Sequence, residues 1–160
     1  MDDAQTTHQA EEDARNDHIL IYVDGALVPK SQAVVSVYDS GFMLGDGIWE
    51  GLRLYNGHWA YLDLHLDRLF EAAKAIDLDI GLDRQGVKTA LLETQSANHM
   101  QSDAHARLMV TRGVKHRPFQ HPSLSRSGPT FVIIMEHSRP KLVAALILRS
   151  INRILPFLPM

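Results

Sequence analysis

"LGDGIWEGLRLYNGHWAYL", Leu44 to Leu62, is the stretch on which the fold turns. Its first half carries Gly45, Gly47 and Gly51 within seven residues. That density suggests a phosphate-cradling loop, but the spacing is G-x-G-x-x-x-G, one residue off the dinucleotide fingerprint. No Gly-Lys-Ser/Thr is present for a nucleotide loop either. What such glycines offer is backbone that bends sharply and approaches a ligand closely, because no Cβ intrudes. The second half, "LRLYNGHWAYL", reads as two strands turning at Asn56-Gly57. Upstream, "ILIYVDGALVP" repeats the device with Asp24-Gly25. Two hairpins therefore bracket the glycine segment.

Helical spacing begins directly after the second hairpin. In "LDLHLDRLFEAAKAIDL", Leu62, Leu66, Leu69, Phe70, Ala73 and Ile76 fall on one stripe at 100° per residue, with Asp63 a plausible N-cap. His65 and Arg68 lie together on one edge of that stripe, one turn apart. The pattern predicts a second helix from Asp83 to about Asn98 with Val87, Leu91 and Thr94 inward. "AHARLMVTRG" reads as a strand, with Ala106, Leu108, Val110 and Arg112 on one side and Arg107, Met109 and Thr111 on the other. "PTFVIIMEH" has the composition of a fully buried strand. Strands outnumber helices and hairpins come first, so the fold class is α+β.

Bulk properties narrow the function. The 160 residues with 45% hydrophobic content suit one domain with a real core. A net charge of −3 without a basic stripe argues against nucleic acid as a partner. With no cysteine there is no disulfide framework or thiolate metal site, and the histidine spacings match no metal motif. The N-terminus lacks a signal pattern and the longest uncharged apolar run, Leu142–Leu148, is too short to span a bilayer, so a soluble cytoplasmic protein is expected. Residues 1–17 are polar and aperiodic and read as a disordered lead-in to a domain over residues 18–140. Residues 141–160 are apolar all round. They suit a packed C-terminal helix, a chain cut short or read out of frame, or a membrane-surface helix.

Taken in order, "SVYDSGFMLGDGIWEGLRLYNG", "HLDRLFEAAKAI" and "ARLMVTRG" resemble the class IV aminotransferases, pyridoxal-phosphate enzymes of fold type IV. Branched-chain and D-amino-acid transaminases and aminodeoxychorismate lyase belong to this family. The resemblance covers His18 to about Pro140 and implies the small N-terminal domain, a homodimer, and transfer of an amino group between an amino acid and a 2-keto acid. It places Gly41–Leu54 along the active site and makes Trp49 a wall of the substrate pocket. Arg53 matches a position that in some branched-chain enzymes holds an acidic substrate side chain; a solvated strand arginine is the alternative. Arg68, in its H-x-x-R-L context, matches the arginine that binds the cofactor phosphate, and a permanently charged planar fork suits that task. Its place on the rim of an apolar stripe implies a partly buried head, with a salt bridge to Asp67 or Glu71 as the structural alternative. His65 would support this arginine.

For the substrate carboxylate the resemblance offers two candidates. Arg107 matches the branched-chain Tyr-Ile-Arg pattern, which here reads His105-Ala106-Arg107, so the tyrosine is lost. Arg112 matches the Thr-Arg-Gly arginine of D-amino-acid transaminases, with His116 following in the loop. They lie on opposite faces of one strand, so only one can enter a given pocket, and Arg112 is favoured. The main departure concerns the lysine that, in the family, holds the cofactor covalently and carries the proton. It lies in a larger second domain, and none of Lys30, Lys74, Lys88, Lys115 or Lys141 stands in a matching context. The chain by itself is therefore expected to be inactive. A non-catalytic fragment that pairs with a full-length subunit is the alternative, and an unrelated phosphate-binding module a remoter one.

Overall fold

The structure, a computed structural model, describes residues 13–138. Most of the polar lead-in and all of the apolar tail set apart in the sequence lie outside the described residues. Two strands, β1 (Leu20–Val23) and β2 (Ala26–Pro29), form the first hairpin, and α1 (Ser40–Leu44) is a single short helical turn. The long strand β3 (Gly47–Tyr55) turns into β4 (His58–Trp59), followed by α2 (Leu62–Ala75) and α3 (Arg84–Ala97). Strands β5 (Ala104–Thr111) and β6 (Thr130–His137) complete an antiparallel sheet of order β2-β1-β6-β5-β3-β4. The α+β class stands. Among the described residues no helix is long and apolar enough to cross a membrane.

Local signals made the hairpins where expected. Asp24 and Gly25 both have positive φ, as do Asn56 and Gly57, the combination that a two-residue turn between twisted strands needs. Helix α3 begins at the expected cap, where the Asp83 carboxylate accepts from the Gly86 N–H at 2.7 Å. It buries Val87, Leu91 and Thr94 as the periodicity requires. Helix α2 starts differently: Tyr61, with φ 53°, occupies the cap position and Asp63 lies inside the first turn. There Asp63 pairs with Lys88 and Arg84 of α3, so its charge braces two helices instead of capping one. Ile76, placed on the apolar stripe by its spacing, is the exposed C-cap residue. Residues 13–17, grouped with the lead-in for their polarity, are ordered: Asp13 caps the turn Ala14–Asn16, and the Asn16 amide pairs with both backbone groups of His137.

Both helices pack on one face of the sheet. Leu66, Leu69 and Ala73 of α2 and Val87 and Leu91 of α3 meet Leu52, Leu54, Ala106, Leu108, Ile133 and Met135. Alternation sends the next residues of each strand to the opposite face, on which neither α2 nor α3 lies and only the short α1 stands at one end. Thus Trp49 and Arg53 of β3 share that open face with His105, Arg107 and Met109 of β5. β6, expected from its composition to be fully buried, is so only in part: Phe131, Ile133 and Met135 enter the core, whereas Ile134 and Glu136 are half-buried because they face the open side beside Val132.

The glycine segment is held by the sheet. Asp39, fully buried, accepts from Gly41 N–H at 2.8 Å and from the hydroxyls of Thr111 at 2.9 Å and Thr130 at 2.7 Å. That carboxylate ties α1 to β5 and β6. Gly45, at φ 67°, is the left-handed residue that ends α1. At Gly47 a Cβ would meet the Val110 carbonyl oxygen at 2.6 Å, so only glycine lets β3 start this close to β5.

Candidate functional site

Strand β3 organises the candidate site because its outer edge is free. It pairs with β4 only through Leu54 and Tyr55, leaving Gly47–Leu52 without a strand partner on that side among the described residues. Successive side chains then point to either side of this edge. Glu50 points toward α2, Trp49 and Gly51 away from it.

Glu50 is 3% exposed and carries three charge-assisted contacts. Arg68 Nε and Nη2 each donate to it at 2.6 Å, and His65 Nδ1 lies 2.8 Å from its second oxygen. Burial pushes the carboxyl up, and the bonds from Arg68 and His65 outweigh burial, so Glu50 stays below its ordinary value. Sequence spacing had put His65 and Arg68 on one helix edge; the tertiary fold supplies the carboxylate they share. That partner is neither Asp67 nor Glu71. The Arg68 head is also not partly buried: its side chain is 67% exposed, because it reaches Glu50 from the rim of α2. Glu50 engages Nε and Nη2, and Nη1 has no recorded partner among the described residues. The result is a guanidinium fixed in direction and open to an anion.

The open face divides into two concavities. One of about 430 Å³ is apolar, with Val23, Val35, Phe42, Met109 and Val132 around Trp49. The other, of about 300 Å³, is lined by His105, Arg107, Ile134 and Glu136. Between them Arg107 stacks on Trp49, its guanidinium carbon 4.4 Å from the ring centroid. Trp49 is 60% exposed, so the stacked pair presents a surface to solvent. Arg53 donates to the Ser138 carbonyl and is half-buried beside His105, its register partner. Burial, then the Arg53 and Arg107 charges, push the His105 imidazole below its ordinary value against the pull of Glu136.

Arg112 lies elsewhere. Nε and Nη2 hold Asp46 at 2.9 and 3.1 Å, while Nη1 and Nη2 donate to the Asp77 and Ile76 carbonyls at 2.6 and 2.7 Å. It therefore clamps the C-terminus of α2 to the glycine segment. His116 is exposed in the loop after β5, its N–H bonded to the Leu124 carbonyl at 2.9 Å. The fold thus brings Trp49, Arg53, His105 and Arg107 onto one face, sets Arg68 across the β3 edge from them, and leaves Arg112 committed to structure. Glu50 and Asp39 escaped the sequence reading, although the acidic residue of Ile-Trp-Glu-Gly interrupts an otherwise apolar inward face and was the available signal.

The model of the amino-transferase class IV family matches residues 47–155, past the break that the sequence suggested after Pro140. The chain belongs to this family. It is 40% identical over 125 residues to branched-chain-amino-acid aminotransferase-like protein 1 of Arabidopsis thaliana, covering 78% of this chain and 22% of that protein. It is 38% identical over 96 residues to a D-alanine aminotransferase of Listeria monocytogenes, covering 60% of this chain and 33% of that one. Its fold matches a T.th. branched-chain amino acid aminotransferase solved with pyridoxamine 5′-phosphate, at TM-score 0.68 and 22% identity, over 78% of this chain and 41% of that one. The chain thus spans between about a fifth and two fifths of these proteins' lengths.

Proposed function

We propose that this chain is the small domain of a branched-chain-type aminotransferase that transfers an amino group between an amino acid and a 2-keto acid. The observation that carries this reading is the free edge of β3, with a fixed, exposed guanidinium on one side and the Trp49–Arg107 pair on the other. Pyridoxal phosphate, when bound, supplies an electron sink for negative charge at the amino acid's α-carbon. Arg68 suits its phosphate: the fork faces out already oriented, so binding need not order it.

Arg107 takes the substrate carboxylate in this reading. It is exposed, its ring partner fixes it, and no carboxylate lies within ion-pair distance of it among the described residues. Arg112, preferred on sequence grounds, has its donors occupied by Asp46, Ile76 and Asp77, and His116 loses its proposed role with it. Trp49 walls the pocket for an apolar side chain, and the apolar concavity beside it favours a branched aliphatic one. Arg53 remains placed for a second negative charge.

Among the described residues no lysine lines either concavity of this face. Lys88 pairs with Asp63, Lys115 is buried against the Gln120 and His121 carbonyls, and Lys30 holds Glu136 and the Asn16 carbonyl. We expect the 160-residue chain by itself to form no stable covalent adduct with pyridoxal phosphate. Exposed Val34, Val37, Phe42 and Phe119 further suit a homodimer. The test is an amino-transfer assay of the intact protein that contains this chain, with L-leucine, L-valine and D-alanine against a common keto acid. Turnover of the L-branched substrates supports the reading; preference for D-alanine would overturn the assignment of Arg107 over Arg112. Borohydride trapping of the chain alone, mapped by peptide mass, should leave every lysine unlabelled. Stoichiometric labelling of one would show that the chain carries its own covalent site.

A further inference from the structure

One bond fixes which way the backbone of β3 faces. The Ala60 N–H donates to the Arg53 carbonyl at 2.9 Å, so Arg53 turns its peptide groups away from β5 and toward the outer edge. Direction alternates along a strand, so Trp49 and Gly51 also turn theirs outward, while Glu50 and Leu52 turn theirs to β5. On the outer side Trp49 and Gly51 have no backbone partner among the described residues. The opposite margin of the sheet is guarded, because β2 closes with Pro29 and runs into Lys30. Residues 48–52 hold neither proline nor lysine and carry Trp49, 60% exposed. Tyr61, at φ 53°, takes the chain off this edge into α2, so β4 does not extend along it.

We propose that this edge pairs with the same edge of a second copy of the chain, antiparallel and two-fold about Glu50, to make one continuous sheet. The edge itself sets that register. A two-fold about Glu50 places Trp49 opposite Gly51 of the second copy, and their outward groups exchange N–H···O=C bonds in both directions. A two-fold about Trp49 would oppose the two indoles, and one about Gly51 would need the Arg53 carbonyl, which Ala60 already occupies. On the open face each indole then meets a position without a side chain, the aromatic-on-glycine arrangement that suits a sheet edge. On the helix face the two Glu50 carboxylates stand opposite one another, which repels unless answered. Each holds Arg68 through Nε and Nη2, and Nη1 is without a partner among the described residues, so each guanidinium can serve the second carboxylate as well. The pair covers the edge that carries the site proposed above and so excludes a ligand there; only this consequence rests on that reading.

The experiment uses the 160-residue chain alone, without cofactor. Sedimentation velocity should show a monomer–dimer equilibrium, and amide hydrogen exchange followed by NMR locates the interface. The Trp49 and Gly51 amides should exchange fast in dilute solution and become protected as dimer accumulates, whereas those of Glu50 and Leu52 stay protected at every concentration. Gly51→Lys should abolish the pair, because a long charged side chain then fills the place of the opposing indole. Trp49→Thr should raise the dimer dissociation constant roughly two- to thirtyfold, since two symmetric cross-strand contacts are lost. Circular dichroism checks that both variants fold as the parent does. A chain that stays monomeric, or a dimer that persists in Gly51→Lys, overturns the proposal. So does a dimer whose Trp49 and Gly51 amides still exchange fast, which would assign the contact to the apolar surface of residues 34–42. Protection of those amides already in the monomer overturns it too, by showing that another segment of the same chain covers the edge. None of these measurements involves pyridoxal phosphate, so failure here leaves the amino-transfer reading intact, and failure of that assay leaves this result standing.

Discussion

The two faces of the sheet handle charge in opposite ways. On the helix side, Glu50 is answered by Arg68 and His65, and the Arg112 clamp beyond β5 is answered by Asp46 and two carbonyls. On the open side, Arg107 rests on an indole and His105 sits between two arginines. Satisfied charges fix a fold, and unsatisfied ones wait for a ligand. The contrast separates residues that build the site from residues that use it. Arg68 belongs to both groups, since Glu50 employs two of its nitrogens and leaves one edge outward.

Substitutions should expose this division, the largest losses of stability coming from the helix side. Arg112→Ala removes four hydrogen bonds and strands Asp46 together with the end of α2. We expect a loss of about 2–4 kcal/mol in denaturant titrations. Unchanged stability would return Arg112 to the list of ligand-binding arginines. Glu50→Gln keeps the shape and removes the charge, with an expected cost of about 1–3 kcal/mol at neutral pH. Its pH dependence carries a sign. The folded Glu50 carboxyl lies below its ordinary value, so its contribution is present above about pH 4.3, the unfolded value, and is lost as pH falls through the folded one. The Glu50→Gln protein should therefore lose less stability on acidification than the parent, and parallel acid limbs would break the assignment.

Arg68→Ala probes the residue with both duties. In the intact protein it should weaken cofactor binding on the order of ten- to a hundred-fold, the loss of one charge-assisted contact to phosphate. Arg68→Lys should recover part of that, because an ammonium lacks the planar fork. Fluorescence titration with pyridoxal phosphate separates the two roles: a variant that melts lower yet binds as the parent does would make Arg68 a partner of Glu50 alone. Arg84 of α3, by contrast, is committed to Asp63 and Asp67 on α2. The smallest effect on folding belongs to Arg107→Met on the open face, within about 0.5 kcal/mol of the parent. Its amino-transfer activity in the intact protein should nevertheless fall steeply through KM. A stability loss as large as that of Glu50→Gln would erase the difference between the faces.

What the sequence determined by itself was everything governed by neighbours along the chain. Asp24-Gly25 and Asn56-Gly57 specify their turns through backbone conformation, and Asp83 starts α3 through a bond three residues long. Alternation in β5 fixed that Arg107 and Arg112 must part company. Tertiary structure alone decided which of them would be left free, since the carbonyls that capture Arg112 belong to a helix end 35 and 36 residues upstream. It likewise chose Glu50 for Arg68, 18 residues away, over the adjacent Asp67 that the sequence offered, and it moved Asp63 from a cap to a brace between helices. The physical reason is the same in each case. A turn or a cap is set by torsions and short hydrogen bonds within a few residues, whereas a side-chain charge takes whichever partner packing brings within reach and shields from water.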